Sequence, residues 1–545
     1  MTKIKASSHL STGRALRRLG FRQTLRGALI IGFLTGIMMG AQGAAFAEAY
    51  PDQHSRDVLV ASLKSAPALG FMAGEIEDAA TPASYSIYKS IALMTLLTGI
   101  WGLLVTTRLL RGQEEDGRLE QIVAGRTTKA RASGHMLIGF AYSMVIAFLI
   151  AWVIIAALGA VPKVNLAVGP AALLTFGVFL PGIFFTSLGV LTSQLALTRG
   201  RALAYSLVPL LILFTIRGAA NSVSDWNSLK QLTPFGWTDL LNPVLGANPI
   251  WIVPTLIFAI ISFPLGLYLA KKRDLGGSIL PQSEYARPHL HLLGSDLQLS
   301  IRQNISTFFW WCLGTLVYAG LLASIAKVGA DALSSSPAFV TVISKLGGTY
   351  DDVVIAFLGF GGIFTAMILL VMATVCFGSI RQDEAKGYVD NFLIQPVKRT
   401  SWLVKRLVIV VLMTGVISLL SGYLIWQIAT AQGISLDLWT MTQNAIALTG
   451  PIFLLVGIGT VLYGLLPRIA AISMYAVIIW AFVVDVLKSF FSLGDFIDKT
   501  SLLHYVSFAP TTAPDWSTFT WLCGLSIVIV CVGVWAFSQR DIVTE

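Results

Sequence analysis

Twelve stretches of this chain are overwhelmingly apolar, nearly free of charge and mostly about 20 residues or longer, the length needed to cross a bilayer. They are 26–47, 84–107, 135–160, 168–196, 202–219, 248–270, 304–326, 353–379, 404–429, 441–466, 469–490 and 516–538. In hydrocarbon every backbone N–H and C=O must find a partner within its own segment, so runs of this kind fold as helices. Composition agrees. Of the 545 residues, 55% are hydrophobic and only 12% charged, about half the charged share of an ordinary soluble domain. The spacing predicts an all-α integral membrane protein with twelve transmembrane helices.

Lys and Arg set the orientation. With the amino terminus inside, alternate loops sort so that the inner segments hold 28 of the 38 Lys+Arg and 12 of the 28 Asp+Glu. That is the positive-inside pattern, and it places both termini in the cytoplasm. The net charge of +10 is then a topology signal and favours anionic lipid over nucleic acid as a partner. "GAAFAEAY" at 43–50 resembles a signal-peptidase site, but the preceding apolar run is long for a signal peptide and the basic region before it longer still. We expect the segment to be retained as a span. Cys312, Cys376, Cys523 and Cys531 all fall within spans, where they read as reduced packing residues.

The chain repeats itself. An offset of 270 carries Glu114 onto Glu384, Gly117 onto Gly387, Glu120 onto Asp390, Pro181 onto Pro451, Gly189 onto Gly459 and Tyr205 onto Tyr475. "GFRQ" (20–23) before the first span resembles "SIRQ" (300–303) before the seventh. "KKRDL" (271–275) after the sixth resembles "SQRDI" (538–542) after the twelfth. The organisation predicted is a cytoplasmic amino-terminal segment, 1–25, a first six-helix half, 26–270, a cytoplasmic linker, 271–303, and a second six-helix half, 304–545. Six is even, so the halves are parallel pseudo-repeats, and a pathway would lie most naturally at their seam.

Span interiors are almost bare of ionisable groups. Asp485, Lys488 and Arg217 sit near outer ends, where snorkelling to the interface accounts for them, so no proton relay is evident. No metal-ligand set and no catalytic constellation occurs. The phosphate loop G-x-x-x-x-G-K-[ST] is absent, since Gly-Lys occurs nowhere in the chain. An ATP-driven mechanism would therefore need a separate ATPase.

Against that background, "EEDGRLEQIVAG" after the second span stands out. Leu119, Ile122 and Val123 form one apolar face of a helix, while Glu114, Glu115, Asp116 and Glu120, with Arg118, are expected to project toward water or a partner. The second copy sets Val389, Phe392 and Leu393 against Asp383, Glu384 and Asp390. Gly117 and Gly387 suit a sharp change of direction.

These loops, together with "LTPFGW" (232–237) before the sixth span, resemble ABC-exporter permeases, most closely the fused twelve-span group of polyketide-antibiotic or tetronasin-type exporters. The resemblance covers most of the chain, though only the loop after the second span is sharp. It implies the six-span fold of the type V exporters in each half. It also implies two copies of a separate ABC ATPase, holding ATP and Mg²⁺, docked on coupling helices near 112–124 and 382–394. The stretch 12–25 would be an interfacial connecting helix, and Pro234, Phe235 and Phe508 would belong to short re-entrant helices capping the outer end. By the same analogy Trp101, Tyr205, Phe214, Phe357, Tyr475 and Trp480 are candidate pathway residues, for hydrophobic or amphipathic, antibiotic-like cargo. This chain itself would bind no cofactor and would not be an enzyme. Two other classes stay open. One is an ion-coupled twelve-helix carrier, whose full G-x-x-x-D-R-x-G-R-R loop is missing. The other is a non-transporting scaffold or receptor.

Overall fold

The computed structural model describes residues 12–64, 73–74, 79–125, 127–280, 291–326, 353–389, 398–490, 495–506 and 514–541. Asp390, Phe392, Leu393 and Phe508 lie outside them. Among the described residues there is no strand. Eleven helices among these residues are long and apolar enough to cross a membrane, which makes this an all-α multi-pass membrane protein. The chain divides into two compact units, Met1–Ala286 and Arg287–Glu545.

In the first unit the long helices are α1 (Thr12–Ala49), α2 (Pro82–Glu115), α3 (Lys129–Gly159), α4 (Val168–Leu195), α5 (Arg199–Ser222) and α6 (Val253–Lys272). The second unit contains α7 (Asp296–Ser324), α8 (Val353–Ala385), α9 (Arg399–Ala431), α10 (Leu438–Leu465), α11 (Ala470–Phe490) and α12 (Trp516–Gln539). The apolar part of α11 counted among the described residues, Ala470–Asp485, is shorter than a full span. That accounts for eleven spanning helices where the hydropathy pattern predicts twelve. No proline interrupts α1, so 12–25 runs into the span without a break. Polar side chains start most of the others. Thr81, Thr128, Thr198 and Ser295 cap α2, α3, α5 and α7. Asp437 and Asp515 do the same for α10 and α12. The Thr518 and Ser517 hydroxyls and the Ser517 N–H hold the Asp515 carboxyl down to about 2, so this cap stays charged well into acid.

One close helix pair organises the first unit. Gly20, Thr24, Ala28, Gly32, Gly36 and Gly40 recur every four residues along α1 and are all buried. Gly139, Ser143, Ala147 and Ala151 do the same along α3. Side chains this small let two backbones approach, which is how helices associate where lipid removes the hydrophobic drive. A Cβ on Gly139 would strike the Arg17 carbonyl oxygen, and one on Gly32 would lie 2.8 Å from that of Ala147. Thr24 and Ser143 hydrogen-bond across the seam at 2.7 Å.

The second unit is packed otherwise. Stepping along α7 in register with α1 gives Ser300, Asn304, Phe308 and Cys312, and along α9 Ile409, Met413, Ile417 and Ser421. Larger side chains hold that pair apart. The close approach lies instead between α10 and α12, where a Cβ on Gly464 would be 2.7 Å from the Gly533 carbonyl oxygen.

A methyl added at Gly139 should therefore destabilise the protein by about 1–3 kcal/mol or more. One added at Gly314 of α7, which has nothing within 4 Å, should be neutral. Thermal unfolding of the purified Gly139→Ala and Gly314→Ala proteins in detergent tests this; equal midpoints would remove the α1–α3 seam from the account.

Candidate functional site

The acidic loop begins inside α2. Its regular helix gives way to a π-helical turn at Arg108–Gly112 before resuming over Gln113–Glu115. Such a bulge re-aims the side chains that follow it. Gly117, at φ 68°, then reverses the chain and starts the short helix Arg118–Val123. A β-carbon would be strained there, which is why glycine occupies the position. Gly387 has φ 71° in the second unit. The Gly117 N–H donates to the Glu114 carbonyl at 3.1 Å, and the Gly387 N–H to that of Glu384 at 2.9 Å.

The two carboxylates at this offset do not face outward. Glu114 is 6% exposed and Glu384 is 0% exposed. Arg273, just past α6, donates to both Glu114 oxygens at 2.7 and 2.6 Å. Lys129 at the start of α3 donates at 3.1 Å, Arg111 of α2 at 3.1 Å and the Gly276 N–H at 2.8 Å. The excess positive charge is met by dipoles. Arg111 donates to the carbonyls of Leu197 and Gly277, and Arg273 to the Gln194 side chain at 2.9 Å and to Gly277. Glu115 turns the other way and accepts from the Arg199 N–H at 2.8 Å, capping α5. Leu119 enters one buried cluster with Leu16 of α1 and Ala132 and Met136 of α3. The loop thus fastens one end of all six helices of its unit.

Glu384 is held similarly. Arg540, just past α12, donates to its two oxygens at 2.6 and 2.9 Å, and Arg381 lies 3.9 Å away. The expectation that Glu114 and Glu384 face a partner is corrected here: burial of a carboxylate among cations of its own unit leaves it nothing to offer outside. A signal for this stood in the sequence, since each carboxylate's arginine is that of the "KRD" or "QRD" closing its half. Exposed on the same loop are Glu115, Asp116, Arg118 and Glu120, and on its counterpart Lys386 and Tyr388. Asp383 is half-buried beside Arg406 at 3.8 Å.

At the other end of the first unit, Thr233 caps the short helix Pro234–Leu241. Pro234 and Phe235 are buried in it, and Phe235 packs on Phe185 and Phe214, with centroids 5.5 and 5.3 Å apart. Arg217 does not snorkel. It is 1% exposed and donates to both oxygens of Asp239 at 2.6 and 2.8 Å, because the short helix brings a carboxylate to it. Of the other pathway candidates, Trp101 is core, edge-on to Phe140 at 5.1 Å. Phe214 is buried, and Phe357 is partly buried beside Ile355 and Leu358. Tyr205, Tyr475 and Trp480 are exposed, the last donating to Thr500 at 2.9 Å.

Two outcomes are expected from these buried charges. Glu114→Gln should cost about 3–5 kcal/mol, since it leaves three cations short of their anion, while Glu115→Gln should cost about 1 kcal/mol as a lost cap. Arg217→Met alone should destabilise more than Arg217→Met with Asp239→Leu, because the single change strands a buried carboxylate. Unfolding midpoints in detergent check both, and a reversed order in either pair would show the ion pair to be peripheral.

Residues 293–538, spanning α7 to α12, match the family model described as "Multidrug efflux system permease Rv1217c, C-terminal domain". No curated protein matches the chain. The second unit is thus similar to the C-terminal domain of a multidrug efflux permease, and this is a multi-span helical protein with an efflux-permease domain signature.

Proposed function

We propose that the chain is the transmembrane permease of an ATP-driven exporter of hydrophobic or amphipathic, antibiotic- or drug-like compounds, working in a bacterial cytoplasmic membrane with both termini inside. The observation that carries this reading is the efflux-permease match over residues 293–538. Support comes from the loop after α2 and its counterpart after α8, which resemble coupling helices, and from the absence of a phosphate-binding loop in the sequence. ATP and Mg²⁺ would belong to a separate ABC ATPase, present in two copies, one for each half of a duplicated twelve-span permease.

The geometry divides the labour within the loop. Glu114 and Glu384 anchor it; Glu115, Asp116, Gly117, Arg118 and Glu120 form the face offered to the first ATPase. Gly387 and the neighbouring Lys386 and Tyr388 do so for the second, while Asp383 turns toward Arg406. Because the anchored carboxylate is tied to the ends of α3, α4 and α6, a push on the exposed face reaches several spans at once. Stiffness of that kind is what a coupling element needs.

The test is co-expression with the ATPase encoded beside this gene, followed by purification in detergent. Two ATPase copies should co-elute with one permease. Asp116→Lys with Glu120→Lys should abolish co-elution and ATP-dependent transport without lowering the unfolding midpoint. A permease that elutes alone and transports on an imposed proton gradient would establish the ion-coupled carrier instead. One that elutes alone and transports under neither condition would be a scaffold.

A further inference from the structure

The second unit contains a polar cavity of about 200 Å³ among α7, α8 and α9. Asn304, Thr307, Ser379, Asp383, Arg406 and Val410 line it. The first unit offers an internal comparison, because the sequence offsets pair these with Thr24, Gly27, Leu109, Gln113, Met136 and Phe140. There Trp101, Leu109 and Phe140 fill the place as one buried cluster. A Cβ on Gly27 would lie 2.9 Å from the Trp101 indole nitrogen. In the second unit Val371 stands at the Trp101 position and Val410 at that of Phe140. The large rings are gone, and polar groups take up part of the space.

Several of those groups keep unused acceptor capacity. Arg406 is largely engaged elsewhere: it donates to Asp296 and to Gln303, each at 3.4 Å, and lies 4.3 Å over the Trp402 ring. Asp296 is shared with the more exposed Lys405 at 3.3 Å. Among the described residues none donates a hydrogen bond to Asp383; its ion pair with Arg406 is long, at 3.8 Å, and Lys386 one turn on is exposed. Asn304 donates one amide N–H to the Ser300 carbonyl at 2.8 Å, leaving its oxygen and a second N–H. Ser379 spends its proton on the Cys376 carbonyl at 2.6 Å. The Thr307 hydroxyl has no partner among the described residues. One carboxylate, in only a long ion pair with Arg406, one amide oxygen and two hydroxyl oxygens can thus accept from a guest, and an ammonium head with its N–H groups supplies the donors and the charge. A cavity admits a water with only about 10–15 Å³ of such space, so a small alkylammonium head fits with water beside it.

We infer that this cavity is a binding site for organic ammonium groups, with Asp383 as the counter-ion and Val410 as the residue that keeps the space open. As a statement about cargo it rests on the efflux reading; as a statement about binding it does not.

Calorimetric titration of the purified full chain with propylammonium chloride tests it, with propan-1-ol and sodium chloride as controls. Saturable propylammonium binding is expected, neither matched by the alcohol nor displaced by equimolar sodium. Asp383→Asn should weaken it about tenfold or more by removing the charged acceptor. Val410→Phe, which restores the first unit's ring, should abolish it while leaving the carboxylate in place. If that ring disturbs folding, Ser379→Leu fills the same space with the residue found at Leu109. Asp116→Asn, on the exposed loop, should change nothing. No saturable binding, equal binding of the alcohol, displacement by sodium, or indifference to Asp383→Asn and both filling variants would each overturn the proposal. The readout is independent of transport. An efflux-competent protein without ammonium binding loses only this inference, and binding without efflux would sink only the exporter reading.

Discussion

A buried carboxylate is costly to desolvate, and Glu114 repays that cost only by having several partners at once. Arg273, Lys129, Arg111 and the Gly276 N–H converge on its two oxygens, and they come from three different places in the chain. Each partner is itself held by a carbonyl or a side-chain amide. The arrangement is satisfied only when the ends of α2, α3, α4 and α6 stand in one relation. Apolar packing between spans is permissive about sliding and rotation. A hydrogen-bonded charge cluster is not, so register at this end of the unit is set by Glu114. In the second unit Arg540 closes on Glu384 and lies 4.9 Å over the Tyr463 ring.

The π-helical turn and the left-handed glycine belong to the same device. Without the bulge at Arg108–Gly112 the α2 helix would carry its next residues around at the regular angle. With it, Glu114 enters the cluster while Glu115 turns to the start of α5. Gly117 then sends the chain back so that Leu119 reaches Leu16 and Met136. Six consecutive positions, Glu114 to Leu119, therefore have four destinations: the buried ion cluster, the cap of a neighbouring helix, solvent, and the apolar contact with α1 and α3.

Span positions were legible in the sequence because hydrocarbon leaves a helix little alternative, and the break at Gly117 because a reversal calls for glycine. The direction of each carboxylate was not. Periodicity counts an acidic residue as polar and hence outward, whereas a partner some 160 residues away along the chain, as Arg273 is from Glu114, can draw it in. The two copies did contain the answer: Glu114 with the arginine of "KKRDL", and Glu384 with that of "SQRDI", form pairs that recur together, which recurrent solvated loop residues have no reason to do. Arg217 went astray for the same reason, since Asp239 comes from a short helix that is too brief to register as periodic.

Where the two units diverge, the divergence is itself physical. At the position of Leu16 the second unit has Asp296, and at that of Met136 it has Arg406. An apolar contact in one is an ion pair at 3.4 Å in the other. Neither residue of such a pair can change alone, because a lone buried Arg or Asp opposite an apolar partner would cost more than either matched state. The small-residue seam of α1 and α3 shows the same logic in packing: with Phe308 at the position of Ala28 and Met413 at that of Ser143, the second unit cannot bring α7 and α9 backbone to backbone. Its polar cavity follows from that separation. Side chains that hold two helices apart leave room between them, and that room is lined by Arg406, Asp383, Ser379 and Asn304 together with Val410. The cavity is therefore coupled to the ion pair and to the loss of the seam, and these three differences stand or fall as one unit of divergence.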